Sequence, residues 1–123
     1  MNFTLSEFNS KDGAAMPFEV AQNITELMNN LQVLRDFYRK PIIINSGYRS
    51  PEHNRKIGGV KGSRHVLGLA ADIVVKGVDP TDVARTIEML IRQGKMKQGG
   101  VGRYKNFTHY DIRGTQARWI GKY

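Results

Sequence analysis

The chain has 123 residues, three histidines, eleven acidic residues and no cysteine, which bounds the chemistry it can do. Without cysteine there is no thiolate metal site, no cysteine nucleophile and no disulfide framework. Nitrogen and oxygen chemistry remains. In Ser63-Arg64-His65-Val66-Leu67-Gly68-Leu69-Ala70-Ala71-Asp72, an imidazole and a carboxylate stand seven residues apart. If the chain turns through Gly68 into a strand, the two side chains can converge on one point. Asp72 lies among Ala70, Ala71, Ile73 and Val74. An ionised carboxylate buried there is costly unless it is paired or bound to a metal. Further on, Phe107-Thr108-His109-Tyr110-Asp111 reads as a strand, whose alternation puts His109 and Asp111 on one face and Thr108 and Tyr110 on the other. His65, Asp72 and His109 would together offer three nitrogen or oxygen ligands. A catalytic zinc typically takes three ligands from the protein and keeps one position open. Spacing alone leaves other readings open. A histidine in an apolar strand can be a packed, hydrogen-bonded residue, and Asp72 can pair with one of the arginines. His53 follows Ser50-Pro51-Glu52 on a helix face and reads as solvent-facing or substrate-adjacent, not as a ligand.

The elements that must position these groups follow from periodicity. Val20, Ile24, Leu27, Met28, Leu31, Leu34 and Tyr38 recur at three- and four-residue steps, which predicts an amphipathic helix over 17–38. Pro17 suits its first turn, and Lys40-Pro41 ends it. Ile42-Ile43-Ile44 predicts a short buried strand. Ser50 as cap and Pro51 at the first position start a short helix, stopped by Gly58-Gly59. A polar loop covers 61–64, and 69–75 reads as a second strand containing Asp72. Asp79-Pro80 starts a further helix with Val83, Ile87, Leu90 and Ile91 as its apolar stripe and Gly94 at its end. The runs 101–104 and 107–112, separated by Lys105-Asn106, predict a hairpin. Helices and strands mix without βαβ alternation, so the expected class is α+β with a small antiparallel sheet. The length fits one domain over 1–123.

Nineteen Lys plus Arg against eleven Asp plus Glu give a net charge of +8, a surface drawn to polyanions. The basic residues are scattered, with no run of five or six and no aromatic-interleaved basic stretch, so no specific nucleic-acid site is expected. Bacterial cell walls are also polyanionic. The opening MNFTLSEFNSKDG does not read as a signal peptide, and no apolar run approaches the roughly 18–20 residues of a membrane helix. A monomer without membrane insertion, cytoplasmic as synthesised, is the expectation.

Residues 63–72 match the pattern SxHxxGxAxD of the zinc D-Ala-D-Ala carboxypeptidases, peptidase family M15, at all five defined positions. Ser46-Gly47-Tyr48-Arg49-Ser50 resembles that family's SGYRS segment. Phe107-Thr108-His109-Tyr110-Asp111 resembles its closing strand, Arg118-Trp119 its usual ending, and Phe3-Thr4-Leu5-Ser6-Glu7-Phe8 the start of its short M15A-like members. The likeness spans almost the whole chain. It implies a fold like that of the D-Ala-D-Ala peptidases and the hedgehog signalling domain, in which a small antiparallel sheet carries zinc. It implies His65, Asp72 and His109 as Zn2+ ligands. Arg49 would face a substrate carboxylate or an oxyanion, with Ser63 and Tyr48 beside it on the substrate side. Many members carry an acidic general base three residues before the last histidine ligand. Here that position is Asn106, whose amide cannot accept a proton at useful pH. Asp111 is the nearest replacement as base, or else it holds a ligand imidazole. The resemblance implies a zinc metallopeptidase acting on peptidoglycan stem peptides or cross-links, such as a phage or prophage lysis enzyme that reaches the wall after release. The alternative is a non-catalytic wall-binding module that retains the zinc site.

Overall fold

The stripe of apolar residues at 17–38 folds as a helix because packing one face on a core outweighs its indifferent ends. In the computed structural model, which describes residues 1–121, α1 is Phe18–Tyr38 and buries Val20, Ile24, Leu27, Met28, Leu31 and Leu34. Pro17 is its N-cap, one step before the first helical residue. The helix closes on Arg39 in the left-handed region, at φ 54°. A short 3-10 turn, Leu5–Phe8, precedes it. Strand β1, Ile42–Ser46, leads to α2, Pro51–Lys56, whose cap Ser50 accepts the His53 N–H at 3.0 Å. Strand β2 is Ala70–Val75, and α3 is Pro80–Arg92, capped by Asp79 onto the Thr81 N–H. Strands β3, Gly100–Arg103, β4, Thr108–Asp111, and β5, Ala117–Ile120, complete the chain's elements.

The five strands form one sheet in the order β1-β2-β4-β3-β5. Three pairings are antiparallel, and β3 pairs with β5 in parallel. The α+β class holds, and the expectation of an all-antiparallel sheet is corrected at this edge. After β4 the chain returns to the start of β3, where the Gly114 N–H donates to Gln98 O and the Ala117 N–H to Gly99 O. It then runs alongside β3 in the same direction. One face of the sheet packs on the helices. Ala71, Ile73, Val75, Val101 and Tyr110 join α1 and α3 residues in a single apolar cluster. Among the described residues, no helix is long and apolar enough to cross a membrane.

The register on the other face decides where chemistry can happen. Ser46 pairs with Asp72, Asp72 with His109, His109 with Gly102, and Gly102 with Trp119. Directly opposed residues share a face. One row therefore crosses all five strands. A bulge between Ile44 and Ser46 sets the β1 end of that row.

A candidate metal centre and its cleft

Asp72 and His109 lie in this row, His65 meets them from the turn before β2, and all three are almost fully buried. His65 Nε2 lies 3.3 Å, and His109 Nδ1 3.2 Å, from the same Asp72 oxygen, Oδ1. The outer nitrogens have their own partners: His65 Nδ1 is 2.8 Å from Gly47 O, and His109 Nε2 is 2.7 Å from Asp111 Oδ2. A carbonyl and an ionised carboxylate only accept, so both outer nitrogens carry protons. The inner nitrogens, both beside Asp72, are then the ones left for a metal. One ligand atom from each of the three residues lies within 4.8 Å of the others. Two imidazoles and a carboxylate, with no sulfur, suit a zinc ion. The residues present fit the metal.

Electrostatics agree with that fit. Burial pushes the Asp72 carboxyl up, but hydrogen bonds from His109 and His65 outweigh it and hold the group well below the usual carboxylate range. Burial pushes the His109 imidazole down, but Asp111 and Asp72 outweigh it and raise the group. His65, Asp72 and His109 would hold a metal with the imidazoles deprotonated at their inner nitrogens, so its binding would be favoured as pH rises.

Asp111 is 0% exposed and has no lone pair to spare. Its Oδ1 accepts from the Gly100 N–H at 2.8 Å, the Arg113 N–H at 3.1 Å and Arg113 Nε at 2.9 Å. Its Oδ2 accepts from His109 Nε2 and, at 2.8 Å, from Arg113 Nη2. Burial raises its carboxyl, yet the bonds from His109, Arg113 and Gly100 overcome this and hold it far below the usual range. A general base must reach the proton it takes. Asp111 lies behind His109 with its oxygens spent, an arrangement that suits the second of its two expected roles, holding the ligand imidazole, better than that of base. Asn106 sits exposed in the β3–β4 turn, in a groove with Val78 and Pro80 and away from this site.

The segment between β1 and α2 clamps His65. Gly47 O fixes its ring, and the Arg49 N–H donates to His65 O at 3.1 Å. Arg49 reaches the Asp72 Oδ2 with Nη2 at 3.3 Å, Ser46 Oγ with Nε at 3.1 Å and Asn54 Oδ1 with Nη1 at 3.4 Å. Three of a guanidinium's five N–H donors are so used, and two remain for a ligand. Ser63 is buried, and its Oγ accepts the His65 N–H at 3.2 Å. Tyr48 is 5% exposed and packs in the apolar core. It does not line the cleft, which corrects its expected contact with substrate. Gly68 does make the turn into β2, at φ +74°, and a Cβ there would stand 2.7 Å from Val20 Cγ1.

A cleft of about 670 Å³ opens over the triad, within the size range of small-molecule sites. Arg49, the loop 57–64, the three ligands, Tyr104, Phe107, Arg113 and Trp119 line it. His53 does not line it. Asn54, Tyr104, Phe107 and Trp119 were not singled out from the sequence as site residues. Trp119 was visible only as part of the family-like ending, and its place beside His109 depends on the register of a four-residue strand too short to show alternation. A second groove, of about 540 Å³ between α3 and β5, holds the Glu88–Arg118 ion pair and, among the described residues, no metal-ligating cluster. The chemistry therefore belongs to the first.

A mononuclear metal centre on a sheet, open to a cationic and aromatic cleft, is what the fold and side chains define. The chain belongs to the peptidase M15 family, whose model matches residues 1–111. It is 35% identical over 79 residues to a zinc D-Ala-D-Ala carboxypeptidase of Streptomyces albus G, covering 59% of this chain and 31% of that protein. It is 33% identical over 88 residues to the peptidoglycan L,D-endopeptidase MepK of Escherichia coli (strain K12), covering 66% and 44%. The chain thus matches less than half the length of these curated relatives.

Proposed function

We propose that this chain is a zinc-dependent peptidase that hydrolyses peptide bonds in bacterial peptidoglycan stem peptides or cross-links. The observation that carries the reading is the pair of histidines whose outer nitrogens are tied down, so that the inner nitrogen of each, beside the Asp72 carboxylate, is the one left for a metal. Membership of the M15 family and likeness to two wall-directed peptidases support the substrate class. His65, Asp72 and His109 would hold the zinc. When bound, zinc supplies Lewis-acid polarisation of a carbonyl and activation of water near neutral pH.

The chain's own residues do the rest. Asp111 and Gly47 O hold the two imidazoles in the tautomers that ligation needs. Arg49 is fixed by Ser46, Asn54 and Asp72 and turns its two free N–H donors toward a substrate oxygen. Ser63 steadies the turn that carries His65. Purified wall sacculi incubated with the chain should release new amino groups in zinc-containing buffer and none after chelation. Absence of release in zinc-containing buffer would overturn the reading. Elemental analysis should find about one zinc per chain in the wild type and near none in His65→Ala, as expected for loss of one of three protein ligands. Action on the wall after release from the cytoplasm is part of the proposal, checked by fractionating producing cells before and after lysis.

A second reading, a wall-binding module that keeps zinc without catalysis, is favoured by one observation. Among the described residues lining the cleft, Asp72 is the single carboxylate, and it is a ligand. Retention on sacculi with no amine released would support this reading.

A further inference from the structure

With Asp111 spent behind His109 and Asn106 turned away, the cleft holds one uncommitted phenol. Tyr104 lines it. Its ring stacks on Phe107 with centroids 4.3 Å apart and planes within 12°. A Cβ at Gly121 would overlap that ring, so only glycine leaves room for it there. Its oxygen accepts the indole N–H of Trp119 at 3.0 Å. Trp119 is itself seated over Gly102, in space a Cβ would fill, and its ring lies 4.9 Å from that of His109. The Tyr104 oxygen is therefore held in place, while its own O–H has no acceptor among the described residues.

We propose that Tyr104 is a catalytic residue: its O–H donates a hydrogen bond to the carbonyl oxygen of the bound wall peptide as that oxygen gains charge. This rests on the peptidase reading above. The water oxygen bonds to the carbonyl carbon, and the π pair moves onto the carbonyl oxygen. On collapse the C–N bond breaks, and the nitrogen leaves with the proton that passes to it directly from the attacking water. Tyr104 keeps its own proton throughout. A donor fixed before the reaction costs no reorganisation when charge develops, and Trp119 supplies the fixing.

Tyr104→Phe keeps the stacking and removes only the hydroxyl. With solubilised stem peptides as substrate, kcat should fall about 100- to 1,000-fold, the usual loss for one such donor. KM should stay within about threefold, because the bond strengthens only in the transition state. Zinc content and melting temperature should match the wild type. Trp119→Phe, which removes the N–H that fixes the phenol, should give a smaller fall in kcat. An unchanged kcat in Tyr104→Phe would overturn the proposal, and so would a loss carried by KM alone, by zinc or by folding. If the wild type itself releases no amine, the peptidase reading fails first. If the wild type cleaves and Tyr104→Phe cleaves equally well, only the role of Tyr104 fails.

Discussion

Each histidine of the triad has one nitrogen left to give, because the other is already bonded to Gly47 O or to Asp111. Such outer partners commonly account for 10- to 100-fold in metal affinity. Asp111→Asn should therefore weaken zinc binding by about 10- to 100-fold, read by competition against a chromophoric chelator. An affinity equal to wild type would remove Asp111 from the positioning role. The triad was legible in the sequence because His65 and Asp72 fall in a dense pattern and His109 on a strand whose alternation is plain. Its outer partners were less so. Gly47 reaches His65 with a backbone carbonyl from 18 residues away, and no residue type announces that. Asp111 was visible as a neighbour of His109, but its saturation by Arg113 and the Gly100 N–H depends on how β3 and β4 pair.

Among the elements, α2 is short and depends on its ends. Asp12 Oδ1 accepts from Ser10 Oγ at 2.7 Å, and Asp12 Oδ2 accepts from Ser50 Oγ at 2.6 Å. Ser50 in turn caps α2 through the His53 N–H. The bonds from Ser10, Ser50 and the Ala14 N–H lower the Asp12 carboxyl from 3.8 to about 2. A carboxyl lowered on folding contributes stability that is complete above its ordinary value and is lost as pH falls through the folded value. Amide exchange over residues 50–54 should accordingly accelerate, relative to α1, as pH drops from 4 toward 2, and Asp12→Ala should show that acceleration already at neutral pH. Equal protection in the variant would dissolve the link. The Gly68 turn is the second weak point. Alanine there meets both an unfavourable φ of +74° and Val20, so Gly68→Ala should cost more than about 2 kcal/mol by urea denaturation. The helices and four of the strands were legible from caps and periodicity. Strand β5 was not, since Ala117-Arg118-Trp119-Ile120 earns its place by pairing with β3.

The whole molecule buries its apolar cluster on the helix side of the sheet and its metal ligands on the other. Folding and metal binding are thereby separable, unlike in domains that the metal alone holds together. Chelated protein should keep its far-ultraviolet circular dichroism at 25 °C and melt at a lower temperature than the zinc-loaded form, by the usual mass-action stabilisation. Unfolding on chelation would contradict this division. Inside the cleft the same division runs between the sheet and the loop 57–64. The ligands ride on β2, β4 and the turn at 63–67, whereas the rim at 57–62 is tied to the body through Asn54, whose Nδ2 donates to Val60 O at 3.1 Å. Gly59 must stay small, because a Cβ there would overlap the Asn54 amide. For protein engineering this is a socket. Segments grafted between Asn54 and Ser63 that keep the Asn54–Gly59 contact can reshape the rim of the cleft while the three ligand side chains beneath stay where they are.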